Sequence, residues 1–577
     1  MNYRLQSSDA FRAELTESSP APDLTLLHLT ADAADAPAPL ELTLVWTCPD
    51  IGVLSAWTPG GYKDKTLIPN WCGLSRSFAT SGAPIYTMIG ADDGNRLTIA
   101  CSDAKNQVGM HAGIIEENGC LDCRVVIHVD SAIAHYEADI RIDRRALPFY
   151  RVVGDVSDWW TTYEGYTPAA VPEAAREPLY SAWYSYHQAI DVPAIVDECH
   201  YFAQRGVRVL IVDDGWQTED GSRGYDYCGD WQPTPAKIPS MKAFVEAVHA
   251  AGMKFVLWYS VPFVGEYTAA YERFRNQMLD RDNRADFSKT HTLDPRFPAV
   301  REHLIQLYRQ AVLDWDLDGL KLDFIDSFYQ TDRVSSDMDF VSVYDAVDRL
   351  MKDILAALRA IKPDILIEFR QSYIGPLMRT FGNMFRAGDC PCDARSNRLA
   401  TLTLRMLCGR TAIHSDMVMW HPDEPAELAA FQLTGVLFAV PQISVRRTQM
   451  TPEQAEMVDA YLAFWRKYRT VLLDGELFYK GYAADFPYVS ARKGDVQVGA
   501  VYAGMIAYIP EPTDTIALVN ASAENRILID APAAGRYHYV IADCRGRQTG
   551  SGELALNGAF TVIDSVPVNG TVTLTRI

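Results

Sequence analysis

The alternation of apolar and polar positions divides the chain into three textures. From residue 1 to about 165, segments such as LTLLHLTA, LELTLVWT, RLTIACS, RVVIHV and HYEADIRID alternate with period two, punctuated by Gly, Pro, Asp and Asn. That period puts every second side chain on one face, so the stretch reads as antiparallel β-sandwich. From about 178 to 470, strand-like runs alternate with helix-like runs. LYSAWYSY precedes VPAIVDECHYFAQRG, and VRVLIVDD precedes MKAFVEAVHAAG. KFVLWYSV is followed, after a long loop, by FPAVREHLIQLYRQAVLDW, and DGLKLDF by VYDAVDRLMKDILAALRAI. DILIEFR, NMFRAGD, TAIHSD and PQISV continue the strands, while RLATLTLRMLCG and ELAAFQLTGVLF carry helical periodicity. Eight strand candidates with helices between most of them predict a (β/α)8 barrel. The rival, a doubly wound open sheet, would carry a Gly-rich phosphate turn after its first strand, and this chain has none there. From about 475 onward β texture returns in QVGAVYAGMIAYI, TIALVNAS, RILIDA, RYHYVIAD and GTVTLTRI. The expected fold is therefore α/β: a (β/α)8 TIM barrel over 171–474, flanked by an N-terminal β-sandwich over 1–170 and a C-terminal antiparallel β-sandwich domain over 475–577.

Length alone, 577 residues, suggests about four domains, but one barrel of about 300 residues reduces that to three. A composition of 48% hydrophobic and 22% charged residues belongs to a globular chain. The net charge of −21 argues against nucleic acid or an anionic membrane as partner. The first residues, MNYRLQSSDAFRAEL, lack the apolar core of a signal peptide, and no apolar run reaches the roughly 18 residues of a membrane span. Eleven cysteines are an odd count. Cys120/Cys123 runs into a β-type segment rather than a strand-to-helix turn, and Cys120/Cys123 and Cys390/Cys392 lack further zinc ligands at suitable spacing. Reduced cysteines in a cytoplasmic protein without metal or cofactor are the expectation.

Barrel enzymes place their chemistry at the C-terminal ends of the strands. Those ends read Trp183, Tyr184 and Tyr186; Asp213, Asp214 and Trp216; Trp258 and Tyr259; Lys321 and Asp323, with Asp326 beyond; Glu368, Arg370 and Gln371; Arg386 and Asp389, with Asp393 beyond; His414 and Asp416. Acidic residues make up 74 of 577 positions, so some carboxylates there are expected by chance. What exceeds chance is apolar strand leading directly into charge at successive ends, with aromatics interleaved. Carboxylates accept hydrogen bonds from sugar hydroxyls, and Arg and Lys donate to sugar oxygens, so the rim suits a neutral polyhydroxylated ligand.

Glycoside cleavage needs one ionised and one protonated carboxyl on opposite sides of the scissile bond. In Lys321-x-Asp323 both side chains share a strand face, and the cation would keep the carboxyl ionised. Asp323 is the candidate nucleophile and Asp389, two strands away, the candidate acid/base. The plain alternative for Lys321 and Asp323 is a salt bridge inside the barrel.

Three motifs carry a resemblance: LIVDDGWQ at 210–217, DGLKLDF at 318–324 and FRAGD at 385–389. With them the chain resembles the α-galactosidase (melibiase) group of clan D glycoside hydrolases, particularly family 36. The resemblance covers the barrel. It implies that Asp213 and Asp214 hold the galactose 4- and 6-hydroxyls, with Trp216 following them. It implies that Lys321 binds sugar, that Asp323 forms a covalent glycosyl-enzyme, that Asp389 is the acid/base and that Arg386 is the arginine preceding it. Retention of anomeric configuration and no metal are implied as well. The Cys- and Gly-rich segment typical after the fifth strand is replaced by IEFRQSYIGP, which puts Glu368 and Arg370 where substrate contacts would be. WYSVPFVG stands where a glutamate-containing segment is usual. The spacings of Arg386, Asp389 and Asp393 depart by one residue from the usual ones. The glycone could thus be galactose, N-acetylgalactosamine or another α-linked sugar.

Trp57, in SAWTPGGY, and Trp231, in YCGDWQP, are further candidates for a sugar platform, with core packing as their alternative. Trp258 is another, with barrel packing as the plain reading. Asp416 is read as a substrate contact or as part of a network that positions Asp389. The expected activity is exo-hydrolysis of small α-galactoside oligosaccharides. Its rivals are raffinose-type transglycosylation, a metal-dependent barrel hydrolase or isomerase, and a non-catalytic sugar-binding protein. A homo-oligomer is compatible with the resemblance, but no sequence feature fixes a subunit number.

Overall fold

The computed structural model describes residues 2–279, 289–511, 513–532 and 535–577. In the N-terminal part, two antiparallel sheets face each other. One has five strands, in the order Arg4–Ser7, Ala38–Pro49, Cys120–Ile133, Gln107–Ile115 and Ser75–Ser77. The other has six, from Phe11–Ala21 through Leu24–Ala33, His135–Asp143, Asn95–Cys101 and Ile85–Gly90 to Val53–Trp57. The period-two alternation is the cause. Along Ala38–Pro49, Leu40, Leu42, Leu44, Trp46 and Cys48 point inward while their neighbours face out, and they pack with Leu27, Leu29, Val125, Ile127 and Ile140 from other strands. Helix Phe149–Trp160 follows, tied to the sandwich by Trp160 Nε1 donating to the Cys101 carbonyl at 2.8 Å.

Eight parallel strands then form the barrel: β1 Leu179–Ser181, β2 Val209–Val212, β3 Lys254–Ser260, β4 Gly319–Asp323, β5 Leu366–Arg370, β6 Met384–Arg386, β7 Ala412–His414 and β8 Gln442–Ile443. They pair in chain order from β1 to β7, and β8 pairs with β1. A parallel bridge between His414 and Val440 joins the two ends of the sheet. Helices Val192–Ala203, Met241–Ala250, Pro298–Trp315, Val343–Arg359, Ala394–Leu407, Ala426–Gly435 and Pro452–Asp474 cover the outside. One expectation changes. LYSAWYSY is not one strand: it leaves the sheet after Ser181 and turns into the short helix Trp183–Tyr186. The link from β5 to β6 carries only the 3-10 turn Met378–Thr380.

Strand register stacks the inward side chains in layers. Leu179, Val209, Ile211, Val256, Leu366, Met384 and Ala412 form an apolar floor, capped from outside by Val171 and Ala174. One step up, Trp258 lies opposite Lys321, Lys321 opposite Glu368, and Arg386 opposite His414. At the top Ser260 pairs with Asp323, and Arg370 with Arg386. Leu320 and Leu322, alternating with Lys321 and Asp323, point to the covering helices. Gly319 is forced by crowding, since a Cβ there would meet the Leu366 carbonyl at 2.5 Å.

The C-terminal part has a seven-stranded sheet starting at Glu476–Lys480 and a three-stranded sheet of Ile506–Tyr508, Arg526–Asp530 and Thr561–Asp564. Pairing is antiparallel except between Val496–Val501 and Thr515–Asn520 and between Ile506–Tyr508 and Arg526–Asp530, which run parallel. Among the described residues no helix is long and apolar enough to cross a membrane.

Candidate active site

β2 ends in Asp213 and Asp214, and the next residue turns the chain back. Gly215 has φ +103°, and a Cβ there would lie 2.5 Å from Gln188 Cα. This close approach lets the Gln188 amide reach Asp214 at 2.6 Å, opposite Gln217 Nε2 at 2.7 Å. Burial outweighs these two hydrogen bonds and pushes the Asp214 carboxyl up to about 6. Asp213 accepts from the Asp214 backbone N–H at 3.0 Å and from Lys321 Nζ at 2.5 Å. Lys321 therefore pairs across the barrel mouth with Asp213, not with Asp323 two residues on. This corrects the sequence-based pairing: the two share a face, but the ammonium on its long stem reaches past β3 to the end of β2.

The cation on Asp323 is Arg370. Its Nε donates to Asp323 Oδ1 at 2.7 Å. The same oxygen accepts from the Phe324 backbone N–H at 2.8 Å and from the Tyr373 hydroxyl. Oδ2 accepts, among the described residues, from Trp258 Nε1 at 3.1 Å. Burial would raise this carboxyl, but Arg370, then Lys321 and the Tyr373 hydrogen bond, overcome it and hold Asp323 well below the usual carboxylate range.

Asp389 stands on the other side, its side chain 55% exposed, with Arg386 Nη2 at 2.9 Å. Partial burial raises its carboxyl, and Arg386, Arg370 and Lys321 together bring it below its ordinary value. Arg386 is completely enclosed and pairs also with Asp416. Asp416 accepts in addition from Tyr184 OH at 2.9 Å and the Cys390 N–H at 2.7 Å, and its own N–H donates to Asn397 Oδ1 at 2.9 Å. Every oxygen of this carboxylate is occupied by protein, so Asp416 braces the Arg386–Asp389 loop instead of facing the mouth.

Glu368 is likewise not at the surface. It is 0% exposed, accepts from Gln442 Nε2 at 2.6 Å, and lies 3.7 Å from Arg386 Nε. Burial pushes it up to about 7. Beside it His414 Nε2 donates to the Ala175 carbonyl at 2.7 Å, and burial lowers its pKa to about 4, so the ring is neutral. Three tryptophans move inward as well. Trp216 is fully buried, donates to the Trp258 carbonyl at 2.9 Å and packs on Trp231, with ring centroids 5.8 Å apart. Trp231 and Trp57 are enclosed too, so all three support the rim through packing and offer no open face for a sugar. Trp258 is 1% exposed yet touches Asp323 directly. Asp393 caps helix Ala394–Leu407, accepting from the Ser396 N–H, and Asp326 accepts from Ser372 Oγ at 3.2 Å.

A cavity of about 310 Å³ opens beside Asp389 and Arg370, lined also by Asp326, Gln371 and, from the N-terminal sandwich, Tyr62 and Lys63. A second cavity, about 630 Å³, lies elsewhere, between the sandwich and residues 330–341, and holds none of the strand-end carboxylates of the barrel. No group of three or more His, Cys, Asp or Glu among the described residues is arranged to hold a metal ion. Sequence reasoning missed Tyr373, Gln188, Gln217, Asn397 and Gln442. Gln217 sat inside the DDGWQ motif and could have been found. The others lie in loops, on a helix or on the last strand, where only the fold shows what they reach.

Residues 174–372 match the Melibiase family model. The bifunctional alpha-galactosidase/sucrose kinase AgaSK of Mediterraneibacter gnavus is 26% identical over 215 residues, 33% of this chain and 20% of that protein. The chain thus matches only about a fifth of that relative's length. The GH36 alpha-galactosidase AgaA of Geobacillus stearothermophilus, solved as a variant with 1-deoxygalactonojirimycin, aligns with TM-score 0.65 at 13% identity, covering 98% of this chain and 82% of that one. A further variant of that enzyme, solved with raffinose, aligns at TM-score 0.63 and 13% identity over 100% of this chain and 88% of that one. At such identity the likeness is one of fold.

Proposed function

We propose that this chain, Melibiase-type across its barrel and like family 36 in fold over its whole length, is a retaining exo-α-galactosidase acting on small oligosaccharides. The observation that carries the reading is the state of Asp323 and its position relative to Asp389. Asp323 is buried and held ionised, with Oδ1 covered by three donors and Oδ2 by one among the described residues. Asp389 shares the mouth and is open to solvent. Oδ2 of Asp323 attacks the anomeric carbon while a proton on Asp389 passes to the leaving oxygen. In the second step water gives its proton to Asp389 and displaces the Asp323 carboxylate, which restores both groups. Asp213, Asp214 and Lys321 are the polar set that receives the sugar hydroxyls, and the cavity beside Asp389 receives the leaving group.

Asp389 sits near Arg386 and is ionised at neutral pH in the free protein, so the acid form must be gained as sugar excludes water from its exposed side. Desolvation raises a carboxyl and supplies that change. The eleven cysteines, all unpaired, support a reducing compartment such as the cytoplasm. A panel of aryl α- and β-glycosides tests activity, glycone and anomer together. The expected outcome is release of aryl alcohol from the α-galactoside with α-galactose as first product by NMR. Cleavage of other α-glycosides only would overturn the glycone, and β-galactose as first product would overturn retention.

A further inference from the structure

Three cations face the two carboxylates at the mouth, and each has its own anionic partner. Lys321 is held by Asp213 at 2.5 Å. Arg386 is held by Asp416 as well as by Asp389. Arg370 is held by Asp323 at 2.7 Å. Asp213 and Asp416 stay ionised throughout the reaction proposed above, so Lys321 and Arg386 each keep a charged partner even while Asp389 carries a proton, whereas Asp323 loses its charge. Esterification through Oδ2 turns Oδ1 into an ester carbonyl, and Arg370 loses its hydrogen-bonded carboxylate, which leaves Asp389 and Asp326 as the anions acting on it.

The position of Arg370 decides where that charge acts. It ends β5, its guanidinium packs on the rings of Phe324 and Tyr373 at 5.1 and 5.7 Å, and it lines the same cavity as Asp389. Nε–H and one Nη1–H are engaged, by Asp323 and by the Gln371 carbonyl at 3.2 Å. The aromatic packing fixes the plane of the group, so it cannot follow another anion away from the mouth. Groups facing Asp389 are Arg386 from its own strand, Arg370 from β5, Lys321 and Asp323 from β4, and, on the far side of Arg386, Asp416 and Tyr184.

We propose that Arg370 is a positioning residue shared by both steps: it holds Oδ1 of Asp323 before attack and, once Asp323 is esterified, presents its charge to Asp389 and keeps that carboxylate ionised until water attacks. This rests on Asp323 as nucleophile and Asp389 as acid/base. In the first step the Oδ2–C1 bond forms, the C1–oxygen bond to the leaving group breaks, and the Asp389 proton goes to that oxygen. Asp389 is then an anion facing a guanidinium that has lost its bond to a carboxylate and has Asp326 as its other nearby anion. In the second step the water oxygen bonds to C1, its proton goes to Asp389, and the electron pair of the C1–Oδ2 bond returns to Asp323, which again neutralises Arg370.

The test uses 2,4-dinitrophenyl α-galactoside, whose leaving group needs no acid, with wild type, Arg370→Gln, Arg370→Lys and Tyr373→Phe. For Arg370→Gln, kcat is expected to fall on the order of 10²-fold while kcat/KM, which reports the first step, falls less than about 10-fold. A burst of dinitrophenolate near one equivalent per enzyme should then appear. Azide, an anion that needs no base, should speed the steady state severalfold. Arg370→Lys keeps the charge and should show the wild-type balance between steps, which decides the matter if Arg370→Gln does not fold. Tyr373→Phe removes a donor to Oδ1 without removing charge and should slow both steps alike, with no burst. Equal loss in kcat and kcat/KM for Arg370→Gln, or no response to azide, would overturn the proposal. If wild type itself fails on every α-glycoside, the functional reading falls first.

Discussion

The floor and the mouth of the barrel are made by the same strands, two to four residues apart, yet they obey opposite rules. On β5, Leu366 belongs to the floor, Glu368 to the layer above and Arg370 to the mouth. On β6, Met384 is floor and Arg386 stands over it. The floor is held by apolar burial, which is non-directional and tolerates any side chain of the right volume. The mouth is held by charge pairs that stay buried only because each finds its partner: Lys321 with Asp213, Arg370 with Asp323, and Arg386 with Asp416. A barrel can thus exchange floor residues without changing its chemistry, whereas one charge removed above leaves its partner unpaired.

The comparison breaks most visibly at its reactive centre. Asp323→Asn should reduce kcat by at least about 10⁴-fold with unchanged circular dichroism. Activity within tenfold of wild type would put the nucleophile elsewhere. Next, Asp389→Ala should cost on the order of 10³-fold on substrates with poor leaving groups, and far less in the first step with dinitrophenyl galactoside. Equal losses on both substrates would remove its role as acid.

At the floor the readout is stability. Leu366→Ala should lower the unfolding free energy by about 2–5 kcal/mol in urea titrations, with KM of the folded fraction unchanged. A large rise in KM would mean that floor and mouth are mechanically coupled. The layer between gives a pH effect. The Glu368 carboxyl binds its proton more tightly in the folded state, with its pKa raised from 4.5 to about 7. Between those values the folded protein holds more protons than the unfolded chain, so stability falls as pH rises through that window. The full effect is ~3 kcal/mol, complete above about pH 7. Glu368→Gln should remove this decline, seen as a smaller loss of Tm between pH 4.5 and 7.5 than in wild type. An identical slope in both proteins would place the titration on another group.

Much of this was legible from the chain. Period two marked the sandwiches, and apolar runs entering charge marked the strand ends, because burial on both faces of a parallel strand demands continuous apolar residues until the strand leaves the core. The strand-end residues Asp213, Asp214, Lys321, Asp323, Arg370, Arg386 and Asp389 follow from that rule alone. The pairings did not. Lys321 shares a strand face with Asp323 but reaches Asp213. Arg370, 47 positions along the chain from Asp323, is the cation that holds it. Trp57 and Trp231 read as platforms or as packing, and both are enclosed in the fold, since a tryptophan looks the same in sequence whether its face meets a sugar or another indole.

What the sequence determined by itself is the kind of element at each position and which side chains project inward, because those depend on backbone periodicity and local burial. What only the tertiary structure decided is which charges meet and which carboxyls are enclosed. Ion pairing and desolvation depend on distances between strands far apart in sequence, and barrel closure sets those distances.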